Sequence, residues 1–128
     1  MSTRQNISSG TPWETRYGYS RAVRVGNIVE VAGTVAADEN GNVVGADSAY
    51  EQTKYIFAKI EKALAEAGAS LKDVARTRMF VTDISLIDEV GRAHGEVFRD
   101  IRPASTALQI SALINPGMLV EIEVTAIL

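Results

Sequence analysis

Apolar and polar residues alternate along five stretches of this chain, which is the spacing of side chains on the two faces of a β-strand. The five predicted strands are residues 17–25, 28–32, 74–82, 104–110 and 118–127. The first two flank Gly26-Asn27 and predict a hairpin, because this dipeptide readily adopts the backbone of a tight turn. The last two are joined through the turn sequence Asn115-Pro116-Gly117.

Two stretches between these strands have helical spacing instead. Residues 48–67 place apolar side chains at i, i+3, i+4 and i+7, which predicts an amphipathic helix. Ser48 with Glu51 matches a capping box at the start of this helix, and Gly68 is a typical stop. A second helix is predicted to open at Ser85, since the apolar residues after it share one face.

The elements together predict one α+β domain over residues 1–128. Residues 1–15 are polar and rich in chain-breaking residues, so we expect an irregular arm there. The order after the arm is β-β-α-β-α-β-β, which favours a mostly β sheet with two helices on one face. We expect Val, Ile, Met and Ala on the other face of the sheet, and an apolar face of that kind predicts burial by a partner.

Composition and charge narrow the possible functions. Of 128 residues, 13 are Lys or Arg and 16 are Asp or Glu, and the resulting net charge of -3 argues against nucleic acid as a partner. The chain has no cysteine, which excludes thiol catalysis and a cysteine-ligated metal. No apolar stretch is long enough for a membrane span, and no secretory signal is evident, so we expect a cytoplasmic protein without a membrane partner.

Three segments carry a resemblance to a known family. They are residues 102–106 (Arg-Pro-Ala-Ser-Thr), the Gly26-Asn27 turn leading into residues 29–33, and the closing run 119–124 with its Glu-x-Glu. Read together, they resemble the YjgF/Rid family of reactive-intermediate (enamine/imine) deaminases, over about residues 17–128. The resemblance implies a chorismate-mutase-like fold, a homotrimer and a small-molecule ligand in a cleft at each subunit interface. It implies neither a metal nor an organic cofactor.

The family's functional residues can be carried over position by position. The resemblance implies that Glu121, the first acid of Glu-x-Glu, helps position the attacking water, and that Tyr19 closes the cleft. Ser105 stands where the family has the arginine of Pro-Ala-Arg, which grips a substrate carboxylate. The implied substrate-binding positions are Tyr19, Gly33, Ala104, Ser105 and Thr106. An asparagine that many members carry early in the second helix falls near Gly91.

The missing arginine changes the expected substrate. A guanidinium binds a carboxylate through a rigid two-pronged contact, whereas serine offers one hydroxyl. Losing two charge-assisted hydrogen bonds weakens carboxylate binding by on the order of 10²–10⁴-fold, which makes a free amino-acid-derived imine a poor substrate. Arg102 is a weak replacement, since Pro103 and the odd spacing predict that it lies on the opposite strand face from Ser105. Arg21, on the predicted face of Tyr19, is a second candidate cation.

Several of these residues also have an ordinary structural interpretation. Glu121 and Glu123 share a strand face, and they fit either a paired acid/base site or a solvated face. His94 is either a general base or a residue at the edge of the helix's apolar stripe. Ser105 and Thr106 fit the lining of a cleft better than a nucleophile, because no His/Asp partner is evident.

Two functions from different classes remain open. The first is a cofactor-independent, water-using deaminase or hydrolase, in which Glu121 polarises water, Ser105 hydrogen-bonds the substrate and Tyr19 closes the site. The second is a non-catalytic, trimeric small-molecule-binding or interaction protein, which the changes at Ser105 and Gly91 favour. A third, the RNA-cleaving role attached to some relatives, is disfavoured by the acidic balance.

Overall fold

The computed structural model describes residues 3–128, which form one six-stranded sheet with helices packed on it. The strands are β1 (Arg4–Ile7), β2 (Ala22–Val25), β3 (Ile28–Val35), β4 (Val74–Val81), β5 (Ala104–Gln109) and β6 (Val120–Ile127). The helices are α1 (Pro12–Tyr17), α2 (Ala49–Glu66) and α3 (Ile87–Phe98). The strand order across the sheet is β1-β2-β3-β6-β4-β5, with β5 parallel to β4 and every other pair antiparallel. The predicted α+β class is therefore confirmed.

The helices form where the hydrophobic spacing predicts them, with one boundary moved. The Ser48 side chain accepts a hydrogen bond from the Glu51 N–H and caps α2, whose apolar face enters the core through Ile56, Phe57 and Ile60. α3 begins two residues after the predicted start at Ser85. The preceding segment Ile84–Leu86 is a 3₁₀ turn, capped by the Asp83 side chain.

The predicted irregular arm at residues 1–15 is wrong for the described part. Arg4–Ile7 pairs with β2 as an edge strand, and Pro12–Tyr17 forms a short helix ended by Gly18 at φ 73°. The hydrophobic pattern does not predict either element. Only Ile7 is buried in β1, and α1 buries Glu14 rather than an apolar stripe. The predicted strand start at Tyr17 is wrong for the same reason, since that residue ends α1.

The two faces of the sheet differ from the expectation. Helices α2 and α3 cover the inner face, and this is where the valines, isoleucines and Met79 of the central strands are buried. The outer face, away from α2 and α3, is mixed, with charged residues among apolar ones. Its members on β3, β4 and β6 include Ile28, Glu30, Arg76, Arg78, Phe80, Glu121, Glu123, Thr125 and Ile127. The expectation of an apolar outer face of Val, Ile, Met and Ala is therefore wrong. Most of the apolar residues of the alternating strands lie on the inner face, which the helices cover.

Neither a membrane-crossing helix nor a metal-binding cluster occurs in the part of the chain described. Across residues 3–128, no helix is both long enough and apolar enough to cross a bilayer. The same residues contain no group of three or more His, Cys, Asp or Glu side chains arranged to hold a metal ion.

Candidate functional site

Glu121 lies on the outer face of the sheet, on a central strand. Its β6 position is opposite Phe80 of β4 and Val35 of β3, so strands flank it on both sides. Burial raises the pKa of the Glu121 carboxyl, the nearby Arg21 guanidinium opposes that rise, and Glu123 adds to it. A half-buried carboxyl with a raised pKa is a typical general acid or base.

A bulge in β3 brings backbone close to this carboxyl. Between Val31 and Thr34 the pairing with β6 shifts, so that three steps along β3 match two steps along β6. Gly33 lies in this bulge, and a Cβ atom on it would stand 2.9 Å from both Cδ and Oε1 of Glu121. A side chain at position 33 would therefore displace the Glu121 carboxyl from its place against the bulge.

Arg21, which directly precedes β2, forms hydrogen bonds to the bulge in β3. Its guanidinium donates a 2.9 Å hydrogen bond to the Gly33 carbonyl oxygen and a longer 3.5 Å contact to Thr34 Oγ1. The Arg21 Nε is buried and has no hydrogen-bond partner within the described residues. Arg21 is thus the cation that lies near Glu121. Two other arginines near the N-terminus lie elsewhere: Arg16 lies over the Trp13 ring, and Arg24 donates a hydrogen bond to the Ala67 carbonyl oxygen at the end of α2.

Lys59 forms hydrogen bonds to the backbone at the end of β3. Its ammonium on α2 donates to the carbonyl oxygens of Val35 and Ala37, at 2.8 and 2.9 Å. Burial lowers the pKa of Lys59, and the positive charge of Arg21 lowers it further. The sequence pattern does not reveal this role of Lys59, because a lysine on an amphipathic helix is expected on the solvated face.

Tyr19 lies in a groove beside this site. A cavity of about 450 Å³ on the outer face is lined by Tyr19, Ala32, Arg78 and Glu123, among others. Glu123 pairs with Arg78 at 3.8 Å across the groove floor. Tyr19 is thus brought to the same sheet face as Glu121, although the groove contains Glu123 rather than Glu121 itself.

Ser105 lies on the inner face, in a hydrogen-bonded chain that the sequence did not suggest. Its Oγ accepts a 2.8 Å hydrogen bond from the hydroxyl of fully buried Thr77, and Thr77 Oγ1 lies 2.9 Å from His94 Nε2. The His94 ring packs against Phe98, and burial lowers the pKa of His94. The lone histidine therefore reaches Ser105 through Thr77, and no carboxylate takes part in that chain.

Ser105 and Glu121 do not meet within one chain. Ser105 is opposite Thr77 on β4, whereas Glu121 is opposite Phe80, three residues further along and on the other face. Three strand residues span ~10 Å, so one ligand on a single chain does not contact both side chains. Thr106 lies on the outer face, where the Arg76 guanidinium donates a 2.6 Å hydrogen bond to its hydroxyl, and Ala104 is exposed at the start of the edge strand β5.

Arg102 is not where strand alternation places it. It lies before β5 with φ 57°, in the left-handed region, so the spacing argument across Pro103 does not apply. Arg102 and Pro103 line a cavity together with His94. Since His94 contacts the inner-face residue Thr77, Arg102 lies on the Ser105 side of the sheet rather than opposite it.

A mixed sheet with two long helices on one face, and a half-buried glutamate at a strand bulge on the other, defines a class of small α+β proteins. The sequence profile described as "Endoribonuclease L-PSP" matches residues 11–128. The chain therefore belongs to this family, which is also called the YjgF/YER057c/UK114 family.

Individual relatives agree with this assignment. The crystal structure of a YjgF/YER057c/UK114 family member from Mycobacterium tuberculosis superimposes with a TM-score of 0.90 at 46% identity, covering 98% of this chain and 100% of that one. A Rid-family protein of unknown function from Yersinia pestis gives 0.84 at 27% identity, over 98% and 100%. The 3-aminoacrylate deaminase RutC of Acinetobacter baylyi is 36% identical over 104 residues, 81% of this chain and 82% of that protein.

Proposed function

We propose that this protein is a cofactor-independent hydrolytic deaminase that acts on an enamine, an imine or a related reactive metabolite. The observation that carries the proposal is Glu121, a half-buried carboxyl that lies close to the bulged backbone at Gly33. The similarity to a 3-aminoacrylate deaminase supports the same reaction class. Water is the only co-substrate that such a reaction needs.

The proposed chemistry balances with one water per substrate. An enamine first tautomerises to the imine, and Glu121 then accepts a proton from water while the water oxygen bonds to the imine carbon. The electron pair of the C=N bond moves to nitrogen, which takes a proton from solvent. The resulting carbinolamine expels ammonia: its hydroxyl gives a proton to solvent and becomes a carbonyl, and the proton held by Glu121 goes to the departing nitrogen.

Ser105 favours substrates without a carboxylate at the position that the family's arginine would bind. Its hydroxyl is already held by Thr77, so it offers one neutral contact and no positive charge. A site that uses both Ser105 and Glu121 needs two chains, because the two side chains lie on opposite faces of the sheet. This separation supports a cleft between subunits, with Tyr19 closing it.

The decisive experiment compares imines with and without a carboxylate. An amino-acid oxidase acting on phenylalanine makes the 2-imino acid in situ, and a flavin-dependent amine oxidase acting on phenethylamine makes the matching imine without the carboxylate. We expect the protein to accelerate ammonia release from the second imine by at least tenfold more than from the first. The readout is ammonia formed per minute with the oxidase in constant excess, so that imine hydrolysis limits the rate.

Two outcomes would overturn parts of this proposal. Acceleration confined to the carboxylate-bearing imine would show that another cation replaces the family's arginine. If neither imine is hydrolysed faster while both carbonyl products bind the protein, the second candidate function, a non-catalytic small-molecule-binding protein, is the correct one. The observation that favours this alternative is the loss of polar groups at Ser105 and Gly91 relative to the family pattern.

We also propose that the protein is a homotrimer. Both edge strands, β1 and β5, leave one side of their backbone without a strand partner, and Ile28 and Ile127 lie exposed next to each other on the outer face. Sedimentation equilibrium is expected to give about three times the 13.8 kDa of one chain. A mass equal to one chain at micromolar concentration would contradict the proposal and remove the inter-subunit cleft.

A further inference from the structure

A second cavity lies on the inner side of the sheet, away from Glu121. It has a volume of about 380 Å³ and is found where α3 ends and the chain turns into β5. Its lining residues are His94, Gly95, Phe98, Arg99, Arg102 and Pro103. We propose that this cavity, here called the α3–β5 pocket, binds a small aromatic carboxylate.

The charge of the pocket comes from two arginines. Arg99 and Arg102 are exposed, and neither forms an ion pair with any residue in the range 3–128. Arg102 Nε donates a 3.2 Å hydrogen bond to the Arg99 carbonyl oxygen, which covers one carbonyl at the end of the helix and leaves the terminal nitrogens of both guanidinium groups available. Two unpaired guanidinium groups beside one cavity favour an anion, and the planar fork of arginine fits a carboxylate best.

The backbone conformation of Arg102 is strained, and hydrogen bonds hold it in place. A non-glycine residue at φ 57° is strained, yet hydrogen bonds from the Ile101 and Arg102 N–H groups to the Phe98 carbonyl oxygen fix this turn, at 3.0 and 2.9 Å. Pro103 then fixes the next φ. The side chain of Arg102 is thereby kept on the pocket instead of continuing the alternation of β5.

The walls of the pocket fit a flat apolar body. The surface offered to a ligand is the His94 ring and Pro103, and Phe98, which is 2% exposed with its ring centroid 4.8 Å from that of His94, supports the His94 ring from behind. The Nε2 of His94 is engaged by Thr77, which fixes the ring as a wall of the pocket. An apolar surface with two cations at one end is complementary to an aromatic ring that carries one carboxylate.

The experiment uses a matched pair of probes, indole-3-acetate and its neutral amide, indole-3-acetamide. Titration into the ¹⁵N-labelled full-length protein, followed by NMR, is expected to shift the amide signals of residues 94–103 with the acetate at a Kd on the order of 1 mM or below. The amide, which keeps the ring but loses the charge, is expected to bind at least tenfold more weakly.

Variants identify the groups that recognise the carboxylate. The double variant Arg99→Gln/Arg102→Gln is expected to raise the Kd for the acetate at least tenfold. Arg92→Gln is the matched control, since Arg92 lies on the same helix but over the Tyr50 ring and outside the pocket, and it should leave the Kd within twofold. Equal binding of both probes, binding that survives the double substitution, or shifts centred on residues around Glu121 would each overturn the proposal. Because no turnover is measured, the result does not depend on the proposed deaminase activity.

Discussion

Replacing Glu121 with glutamine is expected to lower the rate of imine hydrolysis by about 10²–10⁴-fold. The amide has nearly the same shape but cannot accept a proton from water, and general-base catalysis contributes this much in enzymes. Packing against Gly33 is retained, because glutamine is isosteric and the position-33 backbone stays as close as before. The measurement is the oxidase-coupled ammonia assay with the carboxylate-free imine, at protein concentrations where the rate is proportional to the amount of protein.

Glu123→Gln is the matched control for this experiment. It makes the same chemical change two residues along the same strand face, where the carboxylate pairs with Arg78 instead of facing the bulge. Turnover at pH 8 should stay within a fewfold of wild type. Because Glu123 raises the pKa of Glu121, the acid limb of its pH–rate profile should move to lower pH. Equal losses in both variants would contradict the assigned role of Glu121.

The raised pKa of Glu121 also makes the stability of the fold depend on pH. This dependence separates a loss of catalysis in Glu121→Gln from a loss of folding. A carboxyl whose pKa is higher in the folded state than in the unfolded state favours folding below its ordinary pKa and opposes folding as pH rises through the folded value. Glu121→Gln should therefore melt at a higher temperature than wild type at pH 8, and the difference should shrink towards pH 4. A lower melting temperature at pH 8 would mean that the activity loss reports unfolding.

The strong periodic segments of the sequence predicted most of the fold. Residues 48–67 and the alternating strands each have a clear hydrophobic periodicity, so these elements can be predicted without knowledge of the rest of the chain. β1 was missed, because an edge strand buries one side chain, Ile7, and shows no alternation. The position of β6 between β3 and β4 is set by pairing across distant segments, and local patterns do not contain it.

The site was less predictable, for a different reason. Glu121 and Tyr19 follow from the family motif, and a glycine inside a strand pattern is a signal for the bulge at Gly33 that could have been used. The chain from Ser105 through Thr77 to His94 joins three elements, and no spacing rule connects them. Arg102 was misplaced because strand alternation was applied to a residue that lies outside the strand.

Replacing Phe57 with alanine is expected to reduce the free energy of unfolding by about 3–5 kcal/mol. Phe57 lies on the inner face of α2 at 2% exposure and meets the Phe98 ring edge-on, with the ring centroids 5.1 Å apart. It also contacts His94, whose ring centroid is 5.7 Å away. The change removes both aromatic contacts and leaves a cavity between α2 and α3, and the loss is a large part of the ~5–15 kcal/mol that a domain of this size has.

Urea unfolding followed by circular dichroism measures this loss, with every variant at one protein concentration, since any subunit association adds to the apparent stability. Phe57→Leu refills much of the volume and should lose less than half as much as alanine. Phe80→Ala is the control for position, because Phe80 is half-buried on the outer face. This substitution should reduce the free energy of unfolding by less than Phe57→Ala does. A cost of Phe80→Ala equal to or above that of Phe57→Ala would contradict the assignment of the main core to the helix-covered face.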